Sequence, residues 1–293
     1  MARILPCCFY TQGDEENMPT KRTEERYEID TSDGLRAEIV GAWAQEKHAR
    51  LRHYVDISRA ARRKFDKNSS YIDLYCGPGR AKIKDTTIFI PGGALAAVDA
   101  ARSVPFGAIH IADLDEANVE ACRHRMEVSG FGPVNRFVGR AEDTAKSVVS
   151  KLSRTGLHFA FLDPYNVQSL PFEVLRTLAQ MNRMDLLIHL SAMDLTRNVK
   201  QLMSSGALEL FAPGWREHVN PAERNDLAVR AVVHHWCNLI RQLGYEDVSD
   251  RLELVSGKKN QPLYWLVLAS KNELGRRFWG EVSNVTPQHR LPF

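Results

Sequence analysis

Short apolar runs alternate with amphipathic stretches along most of the chain, and that alternation predicts the fold. Residues 71–75, 107–113, 134–138, 157–166 and 185–191 read as buried strands. Between them, 92–102, 115–126, 141–152 and 172–181 carry helical spacing. Strands that alternate with helices imply a parallel sheet covered on both faces. The end of the chain breaks the rhythm. Residues 252–255 and 263–269 are two strands in succession, joined by Ser256-Gly-Lys-Lys-Asn260, which predicts an antiparallel hairpin. A helix over 226–243 precedes them, and a last helix is expected over 271–282. Residues 192–224, broken by Gly206, Pro213-Gly214 and Pro221, read as an irregular or helical insertion.

The first part of the chain has a different pattern. Residues 1–30 are polar, acidic and aperiodic, as in a disordered tail or a loose strap. After Asp33-Gly34 a long helix is expected over about 36–66, with Val40, Trp43, Leu51, Tyr54, Ile57, Ala61 and Phe65 on one stripe. Lys47 interrupts that stripe, and His48 lies on its shoulder. Such a lysine either reaches back to the surface or points into a cleft. The division expected is a tail over 1–33, one domain over 34–283 and a tail over 284–293. That domain holds the helix at 34–67 and the insertion at 192–224.

Composition narrows the class. The chain has 293 residues, 44% hydrophobic and 26% charged, enough for a full core. No apolar run reaches the roughly 18 residues of a membrane span, so a cytoplasmic protein without membrane contact is expected. Five scattered cysteines, with no CxxC pair, argue against a disulfide framework and against a zinc site. Net charge is only +3, but it is uneven. Residues 36–67 hold nine bases against four acids, among them Lys47, Arg50, Arg52, Arg59, Arg62, Arg63, Lys64 and Lys67. This block is either a solvated helix face or one flank of a site for a polyanion such as nucleic acid.

Candidate chemistry gathers at the predicted strand ends. Tyr71-Ile-Asp-Leu-Tyr-Cys-Gly-Pro-Gly-Arg80 is a strand running into a glycine turn, where backbone can approach a ligand. S-adenosylmethionine fits the pattern as cofactor. Contacts are expected from Asp73, Tyr75, Cys76, Gly77, Pro78 and Gly79. Asp113, with Leu114 beside it, stands 34 residues beyond Gly79 at the tip of the second strand. Its carboxylate can accept from both ribose hydroxyls, or it caps the next helix beside Asp115. Glu142 or Asp143 either meets the adenine amine or caps the helix that follows. Asp163-Pro-Tyr-Asn166 ends the fourth strand. Asp163 and the Pro164 carbonyl can accept the two protons of an amine whose nitrogen takes a methyl group, while Tyr165 stacks on its ring. Alternatively, Asp-Pro only terminates the strand. The motif is similar to the (Asp/Asn)-Pro-Pro-(Tyr/Phe) signature of amino-methyltransferases acting on nucleic acids, without its second proline. It is closer to the form in some tRNA guanine-N2 methyltransferases.

With these residues, the chain resembles the three-Cys-motif partner family of bacterial proteins. Trp43-x-x-x-Lys47-His48 with Leu51 and Tyr54, the stretch 71–80, Gly92–Ala97, Ile111–Asp115 and Phe161–Tyr165 carry the resemblance. So do Asp185–Ser191, Arg197-Asn198 and Leu274–Trp279, and together they span about residues 35–282. Cys76 and Asn166 stand where alanine and glycine are more usual, and Gly93 replaces a serine. The layout implies an α/β, Rossmann-like, seven-stranded methyltransferase sheet, mostly parallel, with the antiparallel C-terminal hairpin and helices on both faces. The resemblance also implies a partner with a three-cysteine motif, similar to radical-S-adenosylmethionine enzymes. Trp43 and Lys47 belong to the matching pattern, so Lys47 is expected near the cofactor mouth and joins Asp163, Pro164, Tyr165 and Asn166 as a catalytic candidate. The alternatives are a non-catalytic partner subunit or nucleic-acid-binding module on the same fold, or another chemistry such as a nuclease.

Overall fold

The computed structural model describes residues 26–246, 248, 252–256, 262–273, 275 and 277. Its first half contains β1 (Tyr27–Ile29), β2 (Arg36–Val40), α1 (Trp43–Ile57), α2 (Arg59–Phe65) and β3 (Ser69–Asp73). Then come β4 (Arg80–Ile83), β5 (Phe89–Pro91), α3 (Gly93–Ala100), β6 (Ala108–Asp113), α4 (Glu116–Val128), β7 (Val134–Val138) and α5 (Ala141–Val149). The second half contains β8 (Leu157–Leu162), α6 (Phe172–Leu178), β9 (Met184–Ser191), α7 (Ala192–Ser204) and α8 (Leu208–Phe211). It closes with α9 (Asn225–Gln242), β10 (Leu252–Ser256) and β11 (Pro262–Ala269).

Seven strands form the main sheet in the order β10-β11-β9-β8-β3-β6-β7. The five strands from β9 to β7 are parallel, and β11 pairs antiparallel with both β9 and β10. This is the Rossmann-like methyltransferase sheet with its C-terminal hairpin. Alternate residues of each strand face opposite sides. Tyr71, Ile111, Phe159, Phe161 and Leu187 pack under α1, α3 and α4. Ile72, Ala160, Leu162, Leu186 and Ile188 pack against α5, α6, α7 and α9, with Trp236 fully buried among them.

The N-terminal part departs from the expected helix over 36–66. Arg36–Val40 is a strand, because it pairs with β1 on one side and β4 on the other. With β5 these make a second, four-stranded sheet, β1-β2-β4-β5, which takes up the excursion at 80–91. The helix starts only at Trp43 and is interrupted at Ser58, whose amide bonds Tyr54 while its hydroxyl reaches the Val55 carbonyl. Residues 26–33, read as the end of a tail, include β1 and a buried Asp30. Within residues 192–224, α7 leaves β9 directly, capped by the Ser191 hydroxyl accepting from the Asp194 amide at 3.1 Å. The tail before residue 26, the turn over 257–260 and most of the helix expected over 271–282 lie outside the described residues.

α1 runs antiparallel to the main strands. Near its C-terminal end the Tyr54 hydroxyl donates to Asp185, at the start of β9, at 2.7 Å. Its N-terminal turn, carrying Trp43 and Lys47, therefore hangs over the carboxyl ends of β8 and β9. The register of the sheet places the chemistry there. Asp73 pairs with Phe161 and Phe161 with Leu187. Asp163 and His189 thus stand two residues beyond that row, on the face that α1 covers.

Candidate functional site

A cavity of about 760 Å³ opens at these strand ends. Its floor on one side is the glycine turn. Gly77 and Gly79 have φ of 53° and 80°, which favour glycine. A Cβ at Gly79 would meet Leu95 at 2.8 Å and the Cys122 backbone at 3.0 Å. At Gly77 a Cβ would meet nothing nearer than Glu38 at 3.5 Å, so that side of the turn is open to a ligand. Asp73 anchors the turn by accepting from the Tyr75 amide at 3.0 Å and the Tyr71 hydroxyl at 3.2 Å. Burial pushes its carboxyl up to about 7, with nearby Asp163 and Asp113 adding to the rise. Tyr75 is fixed through its hydroxyl, which donates to the Ser169 carbonyl at 2.7 Å. Cys76 is a buried thiol beside Cys122, and burial raises its pKa.

Asp113 ends β6 as expected and faces the turn. One oxygen accepts from the Gly77 amide at 3.1 Å; the other accepts from the Asp115 amide at 2.9 Å and from Asn118 at 3.2 Å. Three of its roughly four acceptor positions are therefore used within the protein. One remains for a ribose hydroxyl, rather than the two assumed from sequence. Capping of α4 belongs to Asp115, which accepts from the Ala117 amide at 3.0 Å. Leu114 lines the cavity and is 72% exposed, an apolar surface suited to a flat ring. Glu142 lines it too and pairs with Arg140 at 2.6 Å. Burial opposes that pairing, but the carboxyl still lies below its usual range. Asp143 is exposed on α5, whose N-cap position is Arg140.

Sequence reasoning missed Arg125, which clamps this half of the site. Buried on α4, it donates to the Pro78 carbonyl at 2.7 Å and the Arg36 carbonyl at 2.8 Å. It also forms a forked pair with Asp33 at 2.7 and 2.9 Å. One guanidinium thereby ties the strap before β2, the small sheet and the glycine turn together.

The other half of the cavity is built on Asp163. Lys47, only 4% exposed, does not reach back to the surface; its ammonium pairs with Asp163 Oδ2. His189 Nδ1 lies 3.0 Å from the other oxygen, Oδ1, without the alignment of a full hydrogen bond. Burial alone would raise the Asp163 carboxyl, but the Lys47 charge and His189 overcome it and hold the group far below the carboxylate range. Burial and Lys47 lower the His189 imidazole, so it is neutral at pH 7. Trp43 stacks parallel on His189, with centroids 5.6 Å apart and 6° between planes, and Lys47 sits 5.0 Å from the Trp43 ring centre. His48, the next residue on α1, is also neutral: burial and the Lys47 charge lower it to about 3.

The remaining motif residues divide. Pro164 lines the cavity, and Tyr165 stands at its mouth, 68% exposed with the Arg26 guanidinium 4.2 Å above its ring. Asn166 lines the cavity, but its Oδ1 accepts from the Ser169 amide at 2.9 Å and hydroxyl at 2.8 Å, capping a short turn. That oxygen is committed to structure. Of the eight cations named in the basic block, Lys47 is the one that lines the cavity among the described residues. Arg62 is buried against the Val104 carbonyl, and α2 begins after the fifteen residues of α1, about 22 Å of helix from the mouth. Apart from Lys47, the cations named in the basic block do not line this cavity. No cluster of His, Cys, Asp and Glu suited to a metal ion occurs among the described residues, and no helix there is long and apolar enough to cross a membrane.

His189 left one signal in the sequence, a histidine inside the apolar run Leu186-Leu-Ile-His-Leu190. Trp43 was legible as a member of an apolar stripe and of the Trp43-x-x-x-Lys47-His48 pattern, but not as the ring stacked on His189.

No family model matches the chain. No curated protein matches it either. Among solved structures it is similar to Trm1 from Pyrococcus horikoshii in complex with S-adenosyl-L-methionine, at 13% identity and a TM-score of 0.45, covering 85% of this chain and 62% of that one. It is similar to the O-methyltransferase from Bacillus cereus in complex with SAH, at 13% identity and a TM-score of 0.42, covering 76% and 81%. A third is the magnesium protoporphyrin IX methyltransferase from Synechocystis with bound SAH, at 14% identity and a TM-score of 0.40, covering 80% and 89%. Likeness at this level does not say what this chain binds or does.

Proposed function

We propose that this chain is an S-adenosylmethionine-dependent methyltransferase whose acceptor is an amine, best matched by one on a nucleic acid base. One observation carries the reading: a single cavity joins the glycine turn and Asp113 to Asp163, Pro164 and Tyr165. The open side of Gly77, the free acceptor position on Asp113 and the exposed Leu114 fit a cofactor with an amino-acid end, a ribose and a flat base. When bound, S-adenosylmethionine supplies an electrophilic methyl group on a sulfonium. The protein's own task is alignment. Ionised Asp163 accepts one amine proton as a hydrogen bond, the Pro164 carbonyl accepts the other, and Tyr165 offers its ring as a stacking platform once Arg26 moves aside.

The finer reading is membership of the three-Cys-motif partner family, with a three-Cys-motif protein as partner. Its support is the matched set of Trp43, Lys47, the 71–80 stretch and Asp163–Tyr165. Calorimetry of the purified protein with S-adenosylmethionine and S-adenosylhomocysteine tests the cofactor; absence of binding to both would falsify the methyltransferase reading. Mass spectrometry of nucleic acids and small molecules after incubation with methyl-labelled cofactor identifies the acceptor.

A second reading is favoured by the Lys47–Asp163 pair, which occupies the carboxylate that an acceptor needs. On that reading the chain is a partner subunit without turnover. Asp163→Ala separates the two, because it abolishes methyl transfer but leaves a purely structural partnership intact.

A further inference from the structure

The proposed reaction leaves one proton without a destination. An amine that gains a methyl group must lose a proton, and Asp163 is the wrong group to take it. Held ionised by Lys47, it accepts hydrogen bonds but is too weak a base to accept the proton. His189 is placed for that role. It lines the cavity, is 5% exposed, and neither ring nitrogen has a well-formed hydrogen bond among the described residues. A buried imidazole without partners is costly and calls for a reason. Its plane is fixed by Trp43 stacked at 5.6 Å and by Tyr264, tilted at 4.8 Å. Nδ1 faces Asp163 Oδ1 at 3.0 Å, which leaves Nε2 as the nitrogen without a partner among the described residues.

We propose that His189 is the proton acceptor of the methyl transfer, with Asp163 setting its tautomer. The proposal rests on the methyltransferase reading above. A carbon–nitrogen bond forms as the sulfur–methyl bond of the sulfonium donor breaks, its electron pair staying on sulfur. The N–H bond whose proton the Pro164 carbonyl had accepted as a hydrogen bond also breaks, and that proton leaves the carbonyl for His189 Nε2. The charged groups around the imidazole are Lys47 from α1 and Asp163 after β8; Tyr264 from β11 packs on the ring. Burial and the Lys47 charge keep the resting imidazole neutral, and the Asp163 carboxylate lies against the imidazolium that forms. Contacts of this kind are often loose before substrate binds and tighten afterwards. The carboxylate–imidazole order is that of a hydrolase triad without the nucleophile.

The first test needs no acceptor. Nitrogen-15 spectra of the full chain are compared with those of His189→Gln, which assigns one imidazole among the ten histidines. The expected result at pH 7 is a neutral ring with the proton on Nδ1, and loss of that preference in Asp163→Asn. A proton on Nε2, or an imidazolium at pH 7, overturns the proposal. The second test uses methyl-labelled S-adenosylmethionine with total tRNA and fragmented genomic DNA as probes. His189→Gln is expected to bind the cofactor like wild type and to transfer methyl about 100-fold more slowly, with the acid limb of the pH profile removed. Unchanged transfer by this variant overturns the proposal. If wild type binds no S-adenosylmethionine, the methyltransferase reading fails. If it binds the cofactor but carries the Nε2 proton, only the role of His189 fails.

Discussion

Asp73 and Asp163 end adjacent strands, on the same face of the sheet, and their carboxyls are shifted in opposite directions. Both line the same cavity, Asp73 fully buried and Asp163 partly exposed, and loss of solvent pushes both carboxyls upward. At the tip of β3 nothing positive answers that push. Asp73 has two neutral donors and two acidic neighbours, and it rises to about 7. At the tip of β8, Lys47 descends from α1 and His189 closes in from β9, and Asp163 is held ionised. The difference comes from Lys47 and His189 set against Asp163, where Asp73 has only neutral donors and acidic neighbours. It also assigns the work. Asp73 shapes the glycine turn in either state, whereas Asp163 presents a permanent negative charge to whatever enters.

The largest expected effect is on Asp73. Its folded pKa is about 7, against about 4 when unfolded. Between those values the folded state holds a proton that the unfolded state lacks, so this group's contribution to stability falls as pH rises. The total loss is about 4 kcal/mol, complete above pH 7. Asp73→Asn keeps an acceptor for the Tyr75 amide and removes the titration. Urea denaturation is expected to find the variant equal to wild type near pH 4 and more stable by up to about 4 kcal/mol at pH 8. A pH-independent difference would break the contrast. For Asp163 the sign is reversed: its contribution is present above about pH 4 and is lost only as pH falls through its depressed folded value.

Lys47→Met should erase the contrast from the other side. Stranding a buried carboxylate costs about 3 kcal/mol at neutral pH, at the lower end of such cases because Asp163 is partly exposed. Asp163 then rises as Asp73 does, and urea titrations of the variant gain a second decline of stability between about pH 4 and 7. Tyr71→Phe sharpens the comparison more gently. It removes the 3.2 Å donor to Asp73, costs about 1 kcal/mol and moves the midpoint of the pH-dependent loss upward. Asn166→Ala is expected to cost least, about 0.5–1 kcal/mol, as a lost cap. Asn166→Asp, which keeps the accepting oxygen, restores the melting temperature.

The main sheet was legible because each parallel strand is a continuous apolar run followed by a helical spacing. Val134–Val138 matches its expected bounds, and Asp115 caps α4 as read. The small sheet was hidden for a physical reason. Arg36–Val40 is five residues long, and Val40 and Trp43 continue a helical spacing across Gly41, so the strand merges into the helix that follows. Pairing with β1 and β4 decides its state, and that information is tertiary. The glycine turn, Asp113 and the Asp163-Pro-Tyr-Asn166 run were each legible because each is a short local run at a strand end. The pairing of Lys47 with Asp163 was not, because it spans 116 positions. The sequence marked Lys47 as an interruption of an apolar stripe without naming what it faces. His189 looked like one polar residue in a buried strand, and Arg125 like one more surface charge on a helix.

Arg125 has a consequence for the order in which the chain is made. It holds Asp33, 92 positions earlier, and the Pro78 carbonyl, 47 positions earlier. At roughly 5–20 residues per second, about 5–18 s separate the emergence of Asp33 from that of its clasp. For the last 47 residues of that interval the strap and the glycine turn are both outside the ribosome without the group that joins them. A chaperone that shields β1 and β2 until α4 emerges would raise the yield of folded protein, and synthesis paused between residues 80 and 125 would leave the nascent strap open to protease.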